Sequence, residues 1–345
     1  MKSSFVSILL VTYNSEDYLK VCLDSLLKVT YPSKEIIVVD NSSTDQTRAI
    51  LASYGKNITV VLSNQNLGYA GGNNLAFEHA KGDYMFVINP DTKVKKDFLQ
   101  PLVEVMQKDP QVAATQPLVY LMKKPRKINL TGKETNFLGF DWIRDYKKSA
   151  PSEKVDLESF SGCGVLLRTK VLKKIGFYDD LYFMYYEDSD LSWRFRLFDY
   201  KIKFVASSVI YHDYKYIPVE SYQPLSQKVY YYERNRLITL FKNYSSRTLI
   251  FLTPILFILE LAMLAYFISQ GWGGKKLQGY LFIITHWDKI QDSRANIQKK
   301  RLIGDRKILK GFKARLLFGE FQIPAVRYIL NPLLLSYYFF LRLLI

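Results

Sequence analysis

Cysteine is nearly absent. Cys22 and Cys163 are the only two in 345 residues, which argues against a disulfide scaffold and fits a reducing compartment. Histidine is scarce as well, with three in the chain. No G-x-G-x-x-G string follows any strand-like run, so the dinucleotide fingerprint is missing and an oxidoreductase is disfavoured. There is no internal repeat and no low-complexity tract. The opening residues, "MKSSFVSILLVTYNS", hold a short apolar run with no small-residue cleavage site behind it, and read as a buried strand rather than a signal peptide. Acids are thin in the last third: residues 230–345 hold 6 against 18 Lys and Arg, whereas residues 1–229 hold 26 against 30.

Hydrophobic residues make up 48% of the chain, enough for a full core and too many for global disorder. The length suits one large domain with an appendage, or two domains. The net charge of +16 is therefore concentrated towards the C-terminus. A basic excess attracts phosphates of any kind: nucleic acid, anionic lipid or a phosphorylated ligand. Here it coincides with the most apolar part of the chain, which favours an anionic membrane surface. No nucleic-acid-binding motif accompanies it, and no nucleic-acid partner is expected.

The first 120 residues alternate two kinds of segment. "VSILLVTY", "EIIVVD", "ITVVL", "YMFVIN" and "VAATQPLVY" are β-rich runs, and between them 16–28, 43–55, 71–82 and 95–109 are patterned as helices. Near-continuous apolar strands alternating with amphipathic helices imply an α/β fold, with a parallel sheet covered on both faces. Such sheets bind ligands at the carboxyl ends of their strands. From 121 to 158 the pattern is weak and reads as a polar loop or small hairpin. Residues 160–212 resume mixed structure and end in the strand-like "KIKFVASSVIYH". Beyond them, 249–268 gives 20 mostly apolar residues, long enough to span a bilayer but interrupted by Pro254 and Glu260. A second apolar segment, 328–345, is broken by Asn331, Pro332 and Arg342. The stretch 271–327 between them carries 13 Lys and Arg against 4 acids. Two spans would put it on the far side, against the positive-inside tendency. In-plane or re-entrant attachment to the cytoplasmic face is the simpler expectation.

Several polar residues stand where strands end. Asp40 in "VVDNSSTD" can accept a hydrogen bond from a base or ribose, although the string also suits a turn and helix cap. "SNQNLGYAGGNN" carries Asn66, Gly68, Gly71 and Gly72; glycines there allow close backbone approach to a phosphate, or form only a loop. In "VINPDTK", Asn89 and Asp91 offer oxygens to a hard divalent cation, or make a turn before a helix. "MYYEDSDLSWR" puts Glu187, Asp188 and Asp190 between aromatic residues. Acids in a first helical turn complement the helix dipole. A carboxylate walled by aromatics is also placed to act as a general base on a sugar hydroxyl, its basicity raised by partial desolvation. His212 follows 24 residues beyond Asp188 and, taken alone, is as readily structural as a ligand.

Six strings in order, "SILLVTYNSEDYLKVCLDSLL", "IIVVDNSSTDQT", "NQNLGYAGGNN", "VINPDT", "FSGCGVLLR" and "MYYEDSDLSWRFR", resemble the family 2 glycosyltransferases with the GT-A fold, especially rhamnosyltransferase-like and galactofuranosyltransferase-like members. The resemblance covers residues 5–240. It implies a GT-A, mostly parallel sheet flanked by helices, as a catalytic domain over 1–240 followed by a basic, apolar, helical membrane-associated region over 241–345. It also implies inverting transfer from a nucleotide-diphosphate sugar, of the dTDP-rhamnose or UDP-sugar type, to a hydroxyl of a lipid-linked or cell-surface glycan. On that resemblance Asp40 reads the base, Thr12 and Asn14 line the same pocket, and Asn66, Gly68 and Asn89 contribute to the donor site. The family's D-x-D motif falls on Asn89-Pro90-Asp91, leaving Asp91, with His212, to hold Mg²⁺ or Mn²⁺. Asp188 becomes the base and Glu187 positions the acceptor. Trp193, Arg234 and Arg236 are candidates for contact with acceptor or lipid; the two arginines equally suit basic anchors at a membrane interface. The Q-x-x-R-W string of processive synthases is missing, so addition of one or a few sugars is expected. Two other readings stand beside this one: a polyprenyl-phosphate sugar transferase, and a catalytically lapsed GT-A domain serving as a membrane scaffold or glycan-binding module.

Overall fold

The computed structural model describes residues 4–214, 222–316, 324 and 326–345, with backbone only for 222–225. The chain divides into two compact units. One comprises Met1–Lys133, Ile143–Phe195 and Tyr200–Lys215; the other comprises Glu134–Trp142, Arg196–Asp199 and Tyr216–Ile345.

The first unit is a nine-stranded, mixed and mostly parallel sheet flanked by helices. Its first four strands are β1 (Val6–Thr12), β2 (Lys34–Asp40), β3 (Thr59–Leu62) and β4 (Tyr84–Ile88), followed by the short β5 (Thr92–Val94), β6 (Val112–Leu121) and β7 (Lys124–Leu130). A small ribbon, β8 (Lys133–Thr135) with β9 (Asp141–Ile143), precedes β10 (Gly164–Arg168) and β11 (Lys201–His212). The strand order is β3-β2-β1-β4-β10-β6-β11-β5, with β7 on β6. Strands β3, β2, β1 and β4 run parallel, so the residues after each collect at one edge. β10 runs antiparallel to both β4 and β6, and β11 runs parallel to β6.

The helices of this unit are α1 (Glu16–Leu27), α2 (Thr47–Ser53), α3 (Gly68–His79), α4 (Leu99–Lys108), α5 (Thr169–Ile175) and α6 (Glu187–Leu197), the last running into the second unit. α1 buries Leu19, Cys22, Leu23 and Leu26, and α4 buries Leu99, Leu102, Val103 and Met106, the i, i+3, i+4 spacing of a helix laid on a sheet. They cover Ile8, Leu10, Val38, Phe86 and Ile88 of the central strands, all 0–1% exposed.

Three elements differ from the sequence reading. α2 begins at Thr47 rather than near 43, because Ser42 takes a left-handed φ of 66° and the Ser43 amide turns back onto the Asp40 carboxylate. α3 begins at Gly68, so Gly71 and Gly72 lie inside a helix and not in a loop. A Cβ on Gly72 would stand 2.6 Å from a Val11 methyl; the glycine lets α3 lie close on β1. The weakly patterned 121–158 contains β7, paired antiparallel with β6, as well as the ribbon.

The second unit is helical: α7 (Tyr222–Asn243), α8 (Ser246–Ser269), α9 (Gly273–Thr285), α10 (Trp287–Lys300), α11 (Asp305–Leu309) and α12 (Asn331–Leu344). α7 groups here although most of it precedes residue 240. Ser245 caps α8, its hydroxyl accepting from the Thr248 amide at 3.2 Å. Pro254 sits inside α8, and the neighbouring Thr253 hydroxyl donates to the Leu249 carbonyl at 2.8 Å. Among the described residues α8 alone is long and apolar enough to cross a membrane. A π-helical turn, Val326–Leu330, runs directly into the 14 residues of α12.

Both cysteines are buried and unpaired. Burial pushes each thiol up to about 12, so at pH 8 only about one in ten thousand is ionised. Iodoacetamide at pH 8 should therefore leave the folded protein unlabelled over an hour and modify both thiols in urea. Rapid labelling of the native protein, read by intact mass, would show that the sheet opens around Cys22 or Cys163.

Candidate active site

The carboxyl edge of the parallel strands is tied together by its own polar groups. In register, Thr12 of β1 pairs with Asp40 of β2, and Asp40 with Leu62 of β3. Asn14, at a left-handed φ of 47°, donates its amide to Ser43 Oγ at 3.0 Å and accepts from the Thr44 amide at 2.9 Å. Asp40 is fully buried, with Arg48 Nε 2.7 Å from its carboxylate and the Ser43 amide at 3.2 Å. Arg48 itself remains about half exposed. A ligand base reaching Asp40 would therefore share it with that guanidinium. Thr12 is also fully buried and donates to the Val39 carbonyl at 3.2 Å, which puts its hydroxyl inside the sheet.

The glycine-rich segment makes its close approach to the protein itself. Gly68 has φ 70°, and a Cβ there would stand 2.2 Å from the Phe183 carbonyl oxygen. The Tyr69 amide donates to that same oxygen at 2.7 Å, and Asn66 Oδ1 accepts from the Gly68 amide at 2.9 Å. The first turn of α3 thus docks on the loop that leads into α6. This contact requires a glycine at 68.

The β5–β11 pairing builds a second cluster. Thr92 pairs with His212, and the Asp213 amide donates to the Asp91 carbonyl at 2.8 Å. The His212 ring is buried, and its Nε2 lies 3.2 Å from Asp91 Oδ1. Its Nδ1 stands 2.8 Å from Asn129 Oδ1. If Nδ1 carries the proton, as donation to that amide oxygen requires, Nε2 presents a lone pair to the carboxylate. In that tautomer a cation between the two acceptors relieves their repulsion; with the Asn129 amide turned so that its Nδ2, otherwise without a hydrogen bond, donates to Nδ1, Nε2–H faces the Asp91 carboxylate instead. Asp91 Oδ1 and Asn89 Oδ1 are both buried without a hydrogen bond. These atoms suit an oxygen-seeking divalent cation, whose neighbouring ligands stand about 3 Å apart when bonds are about 2.1 Å. Among the described residues no three His, Cys, Asp or Glu side chains gather to hold a metal alone. The remaining coordination would come from the ligand, as is usual for Mg²⁺ beside phosphates.

The acidic stretch at the start of α6 resolves into separate tasks. Asp190 is fully buried and ion-paired with Arg194 at 2.8 Å. That guanidinium also donates to the carbonyls of Ile175, Gly176 and Phe177. Asp190 is therefore structural, and leaving it unpaired would cost about 3–5 kcal/mol. Asp188, 5% exposed, faces a cation that sequence reasoning missed: Lys133 Nζ donates to its Oδ1 at 2.7 Å. The Gly162 amide donates to Oδ2 at 3.0 Å. Lys133 lies in the weakly patterned stretch, as the first residue of the three-residue β8, which is too short to carry a periodic signal. Glu187 is 6% exposed. Burial, with the charges of Glu187 and Asp188, pushes the Tyr69 and Tyr178 phenols well above their usual range. Tyr185 and Tyr186 precede these acids at φ 65° and 71°, a left-handed pair costing about 1–3 kcal/mol per residue.

Ser161–Cys163 links the two clusters. Gly162 donates to Asp188, while the Cys163 carbonyl accepts from the Asn89 amide at 3.4 Å. The Cys163 thiol is raised first by burial and then by the charges of both Asp91 and Asp188. Trp193 is 3% exposed, so its ring packs inside the protein. In the helical unit Arg236 is fully buried, paired with Glu233 at 3.1 Å and with Glu260. Arg234, 4% exposed, lies over the Phe282 ring at 4.1 Å and donates to Asn235 Oδ1. Both guanidiniums are engaged within their unit.

Residues 7–176 match the sequence model of Glycosyl transferase family 2; the match ends before α6 and His212. Poly-beta-1,6-N-acetyl-D-glucosamine synthase of Staphylococcus epidermidis is 29% identical over 204 residues, 58% of this chain and 47% of that protein. The putative teichuronic acid biosynthesis glycosyltransferase TuaG of Bacillus subtilis is 40% identical over 104 residues, 29% of this chain and 41% of that protein. The chain thus spans about half the length of the curated relatives it matches. Among solved structures, GalNAc-T7 with UDP, GalNAc and Mn²⁺ aligns with a TM-score of 0.58 at 16% identity, over 71% of this chain and 49% of that one. The mannosyltransferase PcManGT from Pyrobaculum calidifontis, in complex with GDP-Man and Mn²⁺, aligns with a TM-score of 0.50 at 17% identity, over 88% of each chain. These structural likenesses carry the fold, and over residues 7–176 the sequence is similar to glycosyl transferase family 2.

Proposed function

We propose that the chain is an inverting glycosyltransferase moving a sugar from a nucleotide-diphosphate donor, of the dTDP-rhamnose or UDP-sugar type, to a hydroxyl of a lipid-linked or cell-surface glycan. The work would take place at the cytoplasmic face of the membrane. One observation carries the reading: Ser161–Cys163 bonds to Asp188 on one side and to the Asn89–Asp91 turn on the other. Asp188 and the Asn89–Asp91 turn are thereby tied to one short segment, which supports their acting on one bound donor and acceptor. The relatives named for poly-N-acetylglucosamine and teichuronic acid synthesis support an envelope glycan as acceptor.

Asp91 and His212, with Asn89 beside them, would hold Mg²⁺ or Mn²⁺. When bound, the cation neutralises charge on the leaving diphosphate. The chain's own residues do the rest. Asp40 and Asn14 would take the nucleoside at the edge of β1 and β2. Asp188 accepts the proton of the acceptor hydroxyl as the new bond to the anomeric carbon forms and the bond to the diphosphate oxygen breaks. Lys133 and the Gly162 amide hold the Asp188 carboxylate in one orientation, and Glu187 positions the acceptor beside it. A single displacement inverts the anomeric centre.

Asp188→Asn should retain nucleotide binding and lower kcat by about 100-fold or more. Turnover near wild type, followed as nucleotide diphosphate release, would remove Asp188 as base. Lys133→Met should lower kcat by about tenfold or more with little change in donor KM, and Lys133→Arg should recover part of the loss, as expected of a positioning cation. Equal loss in both variants, with a fall in Tm, would reduce Lys133 to a structural role.

A further inference from the structure

α8 is apolar on every side, yet only one stripe of it is covered. Thr248, Leu252, Leu256, Leu259 and Phe267 are buried, whereas Phe257 and Ile258 are each 63% exposed. A helix hydrophobic all round requires an apolar environment all round. The neighbouring helices leave similar stripes: Leu281 and Ile284 of α9 are 60% and 71% exposed, and Phe340 and Leu343 of α12 are 54% and 77% exposed. The three helices are joined. The Tyr337 hydroxyl of α12 donates to the Phe251 carbonyl of α8, and Tyr280 of α9 donates to Glu260 of α8 at 2.7 Å. Apolar surface repeated over three packed helices exceeds the scattered exposure of an ordinary soluble surface.

The charges around these stripes choose the occupant. Glu233 and Glu260 are taken up by the buried Arg236 and Lys276, and Asp305 by Arg301. Cations at the stripe ends are exposed: Arg247 lies in the first turn of α8, Lys289 stands two residues past the half-exposed Trp287 with the exposed Asp288 between them, and Arg327 adjoins the exposed Tyr328. Amphipathic aromatics and cations flanking an apolar face are the pattern of a membrane interface. Glu260 also sets the orientation. It lies mid-helix, its carboxylate 2.5 Å from Lys276 and paired with Arg236. A crossing α8 would carry this charged network and the polar α10 into hydrocarbon, at a cost that burial of ions makes prohibitive.

We propose that the exposed faces of α8, α9 and α12 form one surface that seats on an anionic lipid bilayer, with α8 lying in the plane of the headgroup–acyl boundary. This extends the membrane part of the proposed function and does not depend on the catalytic residues. The test is flotation of the full chain with vesicles of phosphatidylcholine alone or with about one-third phosphatidylglycerol. Flotation with the anionic vesicles, weakened by salt, is expected. Leu281→Glu with Ile284→Glu should lower the bound fraction about tenfold, with Phe340→Glu as a second variant should the first misfold. On bound vesicles, Ser246→Cys and Ser269→Cys, at the two ends of α8, should both react with an impermeant maleimide added outside. Labelling at one end only would mean that α8 crosses, and no flotation with either vesicle would overturn the surface; so would self-association that hides the face without lipid. Asp188→Asn should float like wild type, so failure of the catalytic reading and failure of this one are read separately.

Discussion

The pairing of Thr92–Val94 with the end of β11 is the constraint on which the site depends. Three residues of β5 hold His212 against Asp91, and β6 holds the same histidine from the other side through its pairing with Leu121. Neither residue has the other as a neighbour in sequence, and no helix or long strand positions Asp91. Without this short antiparallel contact the Asn89–Asp91 segment would be a turn at the end of β4. With it, a carboxylate and an imidazole face each other at 3.2 Å, beside the buried Asn89 Oδ1, which has no hydrogen bond.

The acidic stretch before α6 obeys the same physics with a different answer. Buried carboxylates need partners. Asp190 has Arg194 on its own helix, and Asp188 has Lys133 from the β8–β9 ribbon. The left-handed Tyr185 and Tyr186 aim this helix start, and such strain persists only where the surrounding structure holds it. Here the hold is visible: the Phe183 carbonyl is gripped by the first amides of α3, an approach that the lack of a side chain at Gly68 permits.

Much of the fold was legible because it rests on periodicity. Strand-length apolar runs and i, i+3, i+4 helices gave the parallel half of the sheet and located Asp40, Asn89 and Asp91 at its carboxyl edge. Boundaries failed where side chains compete with the backbone, as at Asp40 and Ser43, which delay α2, and where glycines sit inside a helix, as in α3. β5 was invisible because three residues carry no period. Lys133 was invisible for a related reason: its importance lies in what stands opposite it, and that pairing spans 55 residues. Arg236 of α7 stands beside an apolar segment, where a basic residue suggests phosphate, and its pairing with Glu233 and Glu260 was not legible in the sequence.

The central claim is that Asp91 and His212 form a divalent-cation site completed by a nucleotide diphosphate. Calorimetric titration of UDP, dTDP and GDP, each with and without Mn²⁺, into the wild-type chain and Asp91→Ala tests it most directly. The account predicts that one nucleotide binds about tenfold or more tighter with Mn²⁺, and that Asp91→Ala loses this gain while keeping the metal-free affinity. Binding indifferent to Mn²⁺, or a gain that survives in Asp91→Ala, would contradict it.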